Sequence, residues 1–132
     1  KLAESLMDRG GSLTTLSFFG AERVVDHYNV MGPVKAALES SVRYLAHELG
    51  GSNIRVNAIS AGAVQTRAAS GIKHFDDLLN ESMRMAPLRR TVDACEVGRA
   101  ALLLASDYAS GITGEVLHVD AGSHVSGMIF PE

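Results

Sequence analysis

The stretch HYNVMGPVK, residues 27–35, sets a phenol and an amine seven residues apart, at Tyr28 and Lys35. On a continuous helix seven residues turn by about 700°, so both side chains project to one side. An ammonium near a phenol favours the phenolate and lowers the phenol pKa. A phenol tuned in this way can donate a proton or steady an oxyanion. By itself the pair also describes a surface lysine and a tyrosine at a helix entry, so its chemistry depends on its neighbours. Other reactive residues offer less. The histidines at 27, 47, 74, 118 and 124 show no metal-ligand spacing, and no metal is expected. Cys95 is the one cysteine; it excludes an internal disulfide, fits a reducing, cytoplasmic compartment and reads as a small helix residue.

The elements that must hold Tyr28 and Lys35 follow from periodicity. SLTTLS, residues 12–17, reads as a buried strand, and 18–28 as a polar loop. A helix is expected over 29–49, its apolar face made by Met31, Val34, Leu38, Val42, Leu45 and Leu49. Asn29 is the expected N-cap, Pro33 is tolerable in the first turn, and Gly50-Gly51 ends the helix. IRVNAIS, residues 54–60, is a second strand with Ile54, Val56 and Ala58 on one face and Ile59 on the other. Short helices are expected over 68–72 and 75–85. A helix over 93–106 opens with Asp93 and Glu96 at capping-box spacing, and a third strand lies near 115–119. Alternating strands and helices make an α/β fold with a parallel sheet. Ligands of such sheets bind beyond the carboxyl ends of the strands, which here are the loops after Ser17, Ser60 and Asp120.

Composition narrows the class. The 132 residues suffice for one modest domain, and 46% hydrophobic residues can form a core. A net charge of −3 without a basic run argues against nucleic acid as a partner. No apolar run approaches the ~18 residues of a membrane helix. The opening KLAESLMDRGG reads as the last turns of a helix with a glycine cap, as in part of a longer chain.

The order of strand, Ser17, loop, Tyr28 and Lys35, then VNAISAG after the next strand, resembles the short-chain dehydrogenase/reductase superfamily. Most members place the tyrosine four residues before the lysine; here that position is Met31, which cannot donate a proton. The wider spacing in YNVMGPVKAALE is similar to the enoyl-acyl-carrier-protein reductase branch, as are GAERVVDHYNVMG, RVNAISAG, RAASGIKHF, PLRRT and GITGEVLHVDAG. The similarity runs from about Gly11 to Met128.

The resemblance implies a Rossmann-like, doubly wound parallel sheet, of which residues 1–132 are the carboxyl-terminal part. It implies reduction of a trans-2-enoyl thioester on acyl-carrier protein by NADH, with NADPH possible, in a homotetramer. Tyr28 would then donate to the thioester oxygen, and Lys35 would hold the nicotinamide ribose. Ser17, the Val64 backbone and Thr66 would complete cofactor binding. Phe18, Met31, Ala68, Ala69, Ile72 and Phe75 would line the acyl pocket. Several positions depart from the pattern: Phe18 stands where many members have a second tyrosine, Ala63 replaces a proline, Gln65 an arginine and Arg67 an apolar residue.

The glycine-rich turn of a dinucleotide site does not occur in this sequence. A 1–132 polypeptide alone is therefore expected to be inactive and to bind NADH weakly or not at all; submicromolar binding would overturn that expectation. Two rival readings remain at this stage: a short-chain dehydrogenase acting on a ketone or alcohol, and a non-catalytic truncated fragment.

Overall fold

The computed structural model describes residues 4–66 and 75–127. Three strands form one parallel sheet in the order β1 (Gly11–Phe18), β2 (Ile54–Ala61), β3 (Val116–Val119). Helix α1 (Met31–Leu49) crosses from β1 to β2; α2 (Phe75–Met85) and α3 (Ala94–Ala105) lie between β2 and β3. Parallel strands need such crossovers, because a tight turn cannot return the chain to the same end of the sheet.

The alternation along β2 decides which helix covers which face. Ile54, Val56 and Ala58 pack with Val42 and Ala46 of α1. Ile59 points the other way and packs with Leu104 of α3 and with Ala109. Both faces of β2 are covered, as the central strand of a parallel sheet requires. Asn57 shares the Ile59 face and is fully buried. Its amide donates to the Ile112 carbonyl at 3.0 Å and accepts from the Glu115 N–H at 3.1 Å, so its polar burial is compensated. These two bonds hold the segment entering β3 against β2.

Several expectations need correction. The buried face of α1 is Glu39, Val42 and Ala46, whereas Met31, Val34 and Leu45 are exposed. The apolar periodicity left Glu39 off the expected face, and the true face is rotated toward it. Asn29 does not cap α1: the N-cap position is Val30, without a side-chain cap, and Asn29 has a left-handed φ of 49°. Helix α1 does stop at Leu49, but Gly50 is right-handed and the left-handed turn falls on Asn53, with φ 58°. Glu4–Leu6 is a single 3₁₀ turn where the end of a longer helix was expected. The helix expected over 68–72 lies outside the described residues.

The cap of α3 is as expected. Asp93 accepts from the Glu96 N–H at 2.8 Å, and the Glu96 carboxylate accepts from the Asp93 N–H at 3.0 Å. A bidentate ion pair from Arg90 holds the same carboxylate. Hydrogen bonds from Arg90, then from the Asp93 backbone, bring the Glu96 pKa down to about 2. Asp93→Ala removes an acceptor for an otherwise orphaned helix N–H. It is expected to cost about 1 kcal/mol, read as a lowered denaturation midpoint of the complete gene product. An unchanged midpoint would show that the cap contributes nothing.

Candidate active site

All three strands end on the same side, and polar residues collect there in one row: Ser17 pairs with Ser60, and Ser60 with His118. The loop leaving β1 folds back over this edge to deliver Tyr28. A short 3₁₀ turn, Phe19–Ala21, starts the return. Tyr28 precedes α1 by three residues, in a turn where His27 and Asn29 both have positive φ. The helical route by which Tyr28 and Lys35 were expected to share a side is thus not the one used. Tyr28 stands off the helix, and its ring lies 5.0 Å from that of Phe18 at an angle of 59°. That tilted contact fixes the phenol at the carboxyl end of β1.

Lys35 reaches the same place from α1. Its Nζ donates to the carbonyl of Leu16 at 2.8 Å, one residue before Ser17. Among the described residues no hydrogen bond joins Tyr28 to Lys35, and the phenol does not feel the ammonium in the expected sense. Burial raises the Tyr28 pKa above its ordinary value, so the sequence-based direction is reversed. A phenol that stays protonated is still the form that can donate.

The structure directs Ser17 inward. It is buried, and its hydroxyl donates to the carboxylate of Glu39, itself buried on α1. Glu39 escaped the sequence reading because a charged residue on a helix defaults to solvent. Its position, one turn after Lys35 and three before Val42, was the available signal. Val64 is half-buried against Ala86, Val92 and Ala121, while Thr66 is exposed. Phe75 begins α2 and is buried. Met31 begins α1 and is partly exposed. Ala68, Ala69 and Ile72 lie outside the described residues.

The third strand braces the Tyr28 loop. His118 stacks on His124 with ring centres 4.0 Å apart, and its Nε2 lies 3.2 Å from Glu22 in that loop. This is within ion-pair reach, but the two groups are not aligned for a hydrogen bond. Behind the stack, Asp120 accepts from Gly122 N, Ser123 Oγ, His124 N and His124 Nδ1. Burial alone would raise its pKa, but these donors together outweigh burial and hold it below the usual value. A depressed carboxylate stabilises the fold above its unfolded pKa of about 3.9, and that contribution is lost as pH falls through the folded value. Asp120→Asn is therefore expected to flatten the acid limb of the stability profile in pH-dependent denaturation. A limb of unchanged steepness would refute the assignment.

A parallel sheet wound on both faces, with a tyrosine and a lysine gathered at its carboxyl edge, places the chain among the short-chain dehydrogenases/reductases. The enoyl-(acyl carrier protein) reductase family model matches residues 1–124, and the chain belongs to that family. It is 59% identical over 126 residues to an NADH enoyl-[acyl-carrier-protein] reductase of Rhizobium meliloti, covering 96% of this chain and 46% of that protein. A Nostoc counterpart is 58% identical, with 96% and 49% covered. The crystal structure of the Bacillus cereus enoyl-acyl carrier protein reductase with NADP+ and an indole naphthyridinone superposes with a TM-score of 0.92 at 52% identity, covering 96% of this chain and 49% of that one. The Anaplasma phagocytophilum reductase in complex with NAD gives 0.88 at 56%, with 96% and 46% covered. The chain thus spans about half the length of the curated relatives it matches.

Proposed function

We propose that this chain carries the proton-donating and substrate side of an NADH-dependent trans-2-enoyl-acyl-carrier-protein reductase of fatty-acid elongation. The observation that carries the reading is the placement of a protonated Tyr28 beside Phe18, the last residue of β1, while the Lys35 ammonium holds the Leu16 carbonyl of the same strand end. The bound nicotinamide cofactor supplies a hydride to the β-carbon of the enoyl thioester. Tyr28 donates a hydrogen bond to the thioester oxygen as negative charge builds there, and it is held in place before that charge appears. Lys35 suits the cofactor because an ammonium has three protons and Leu16 takes one, leaving two for ribose hydroxyls. The Val64 backbone would meet the carboxamide, and Thr66 the pyrophosphate. Phe18, Met31 and Phe75 would face the acyl chain, together with Ala68, Ala69 and Ile72. Phe18 contributes a ring without a hydroxyl, so Tyr28 is the phenolic donor of the pair.

The names of the curated relatives favour NADH over NADPH and acyl-carrier protein as the carrier of the substrate. A homotetramer is what the family resemblance implies; the apolar side chains exposed on α1 and α3, Val34, Tyr44, Leu45, Leu102 and Leu103, leave surface that further copies or the rest of a longer chain would cover. A cytoplasmic location agrees with the lone Cys95; among the described residues no helix is long and apolar enough to cross a membrane.

The test is NADH oxidation by the complete gene product with a short trans-2-enoyl thioester, beside a 3-oxoacyl thioester. Turnover of the enoyl substrate alone supports the reading. Turnover of the 3-oxoacyl substrate alone moves the protein to the ketone-reducing branch, and silence on both favours a non-catalytic role.

A further inference from the structure

Glu39 is a buried carboxylate that the proposed chemistry does not use. Only 7% of it is exposed, and it lies on the buried side of α1 that also carries Val42 and Ala46. A carboxylate so enclosed ordinarily has a cation or several donors. Its one hydrogen-bond partner among the described residues is the Ser17 hydroxyl. Lys35 lies one helical turn earlier and grips the same strand one residue earlier, at the Leu16 carbonyl. Two successive residues of β1 are therefore tied to two successive turns of α1, one through its backbone and one through its side chain. The next residue is Phe18, the ring against which Tyr28 rests.

We infer that Glu39 is a positioning residue, which through Ser17 fixes the carboxyl end of β1 and with it the Phe18–Tyr28 contact. It does not touch substrate; it holds the strand end from which the donor is aimed. An orphaned Ser17 hydroxyl would free the strand end to shift relative to α1, moving Phe18 while Lys35 keeps its own grip on Leu16. Placement of the donor should suffer before binding does. This inference rests on the reductase reading above.

The test uses the complete gene product with Glu39→Leu, Glu39→Gln, Ser17→Ala and the Glu39→Leu/Ser17→Ala pair. Each is assayed for kcat and KM with NADH and a short trans-2-enoyl thioester. The expected result is a kcat lowered on the order of tenfold in Glu39→Leu, a fraction of the hundredfold that an ångström of misplacement can cost. In the two Glu39 variants both KM values should stay within about twofold, since uniform binding is untouched; Ser17→Ala is read through kcat alone, because the resemblance also places Ser17 at the cofactor. Glu39→Gln keeps an oxygen acceptor for Ser17 and should recover most of the lost rate. The double variant should be no slower than the worse single one, as for two members of one contact. Wild-type kcat in Glu39→Leu overturns the inference, as does equal loss in Glu39→Gln, or rates that multiply in the double variant. If Glu39→Leu does not fold, Ser17→Ala and Glu39→Gln decide the same question. Absence of wild-type turnover overturns the reductase reading itself, so the two failures are distinguishable.

Discussion

Tyr28→Phe in the complete gene product is expected to lower kcat with a short trans-2-enoyl thioester by about 10²–10³-fold, the cost of deleting one preorganised donor to a developing oxyanion. The substitution keeps the ring, and so keeps the contact with Phe18 at 5.0 Å that seats it. KM should therefore change little, and the fold should be unaffected. The elevated pKa adds a second readout. Burial holds the phenol protonated through neutral and mildly alkaline pH, so the wild-type rate should fall only above the ordinary phenol range, near pH 10. Loss of activity at a much lower pH would mean that another group, or a Tyr28 ionised by the bound cofactor, governs the rate. A Tyr28→Phe variant with wild-type kcat would remove the donor role altogether.

Gly20→Ala is expected to cost about a hundredfold in kcat/KM without replacing any group that reacts. A methyl group on Gly20 would stand 2.5 Å from Cδ1 and 2.7 Å from Cε1 of Tyr28. No side chain tolerates such an approach, so the tyrosine ring must move, by roughly an ångström, and misplacement on that scale carries a penalty of this order. The backbone of Gly20 is itself wedged against the helix, since a methyl on Gly32 would lie 2.9 Å from the Gly20 carbonyl oxygen. Gly98, exposed in α3 with open space around it, is the matching control. Gly98→Ala should leave activity intact and stabilise the helix by about 0.5–1 kcal/mol. Steady-state kinetics and thermal denaturation on the two variants separate a local steric effect from a general one. Wild-type activity in Gly20→Ala would show that the loop can yield without moving the phenol.

Residues whose meaning is local were legible in the sequence. The period-two pattern of IRVNAIS placed Ile54, Val56 and Ala58 opposite Ile59, because strand alternation is a property of the backbone itself. The Asp93–Glu96 spacing gave the capping box, because both partners lie within one helical turn. The block order around Tyr28 and Lys35 pointed to the family, since that order survives in sequence whatever the side chains do in space. The class of fold was thus determined, and Tyr28 and Lys35 were singled out, before any contact was known.

Tertiary structure decided how those residues are used. Lys35 ends on the carbonyl of Leu16, nineteen residues away, a bond that exists only because α1 packs back on β1. The buried face of α1 turned toward Glu39 because Ser17 offered it a donor, and hydropathy cannot register a polar pair that compensates its own burial. Tyr28 stands in the loop before the helix, as its place in 18–28 implied, and a turn of left-handed residues carries it onto Phe18. Its pKa then moved upward, because burial depends on how the loop closes and a seven-residue spacing carries no information about that.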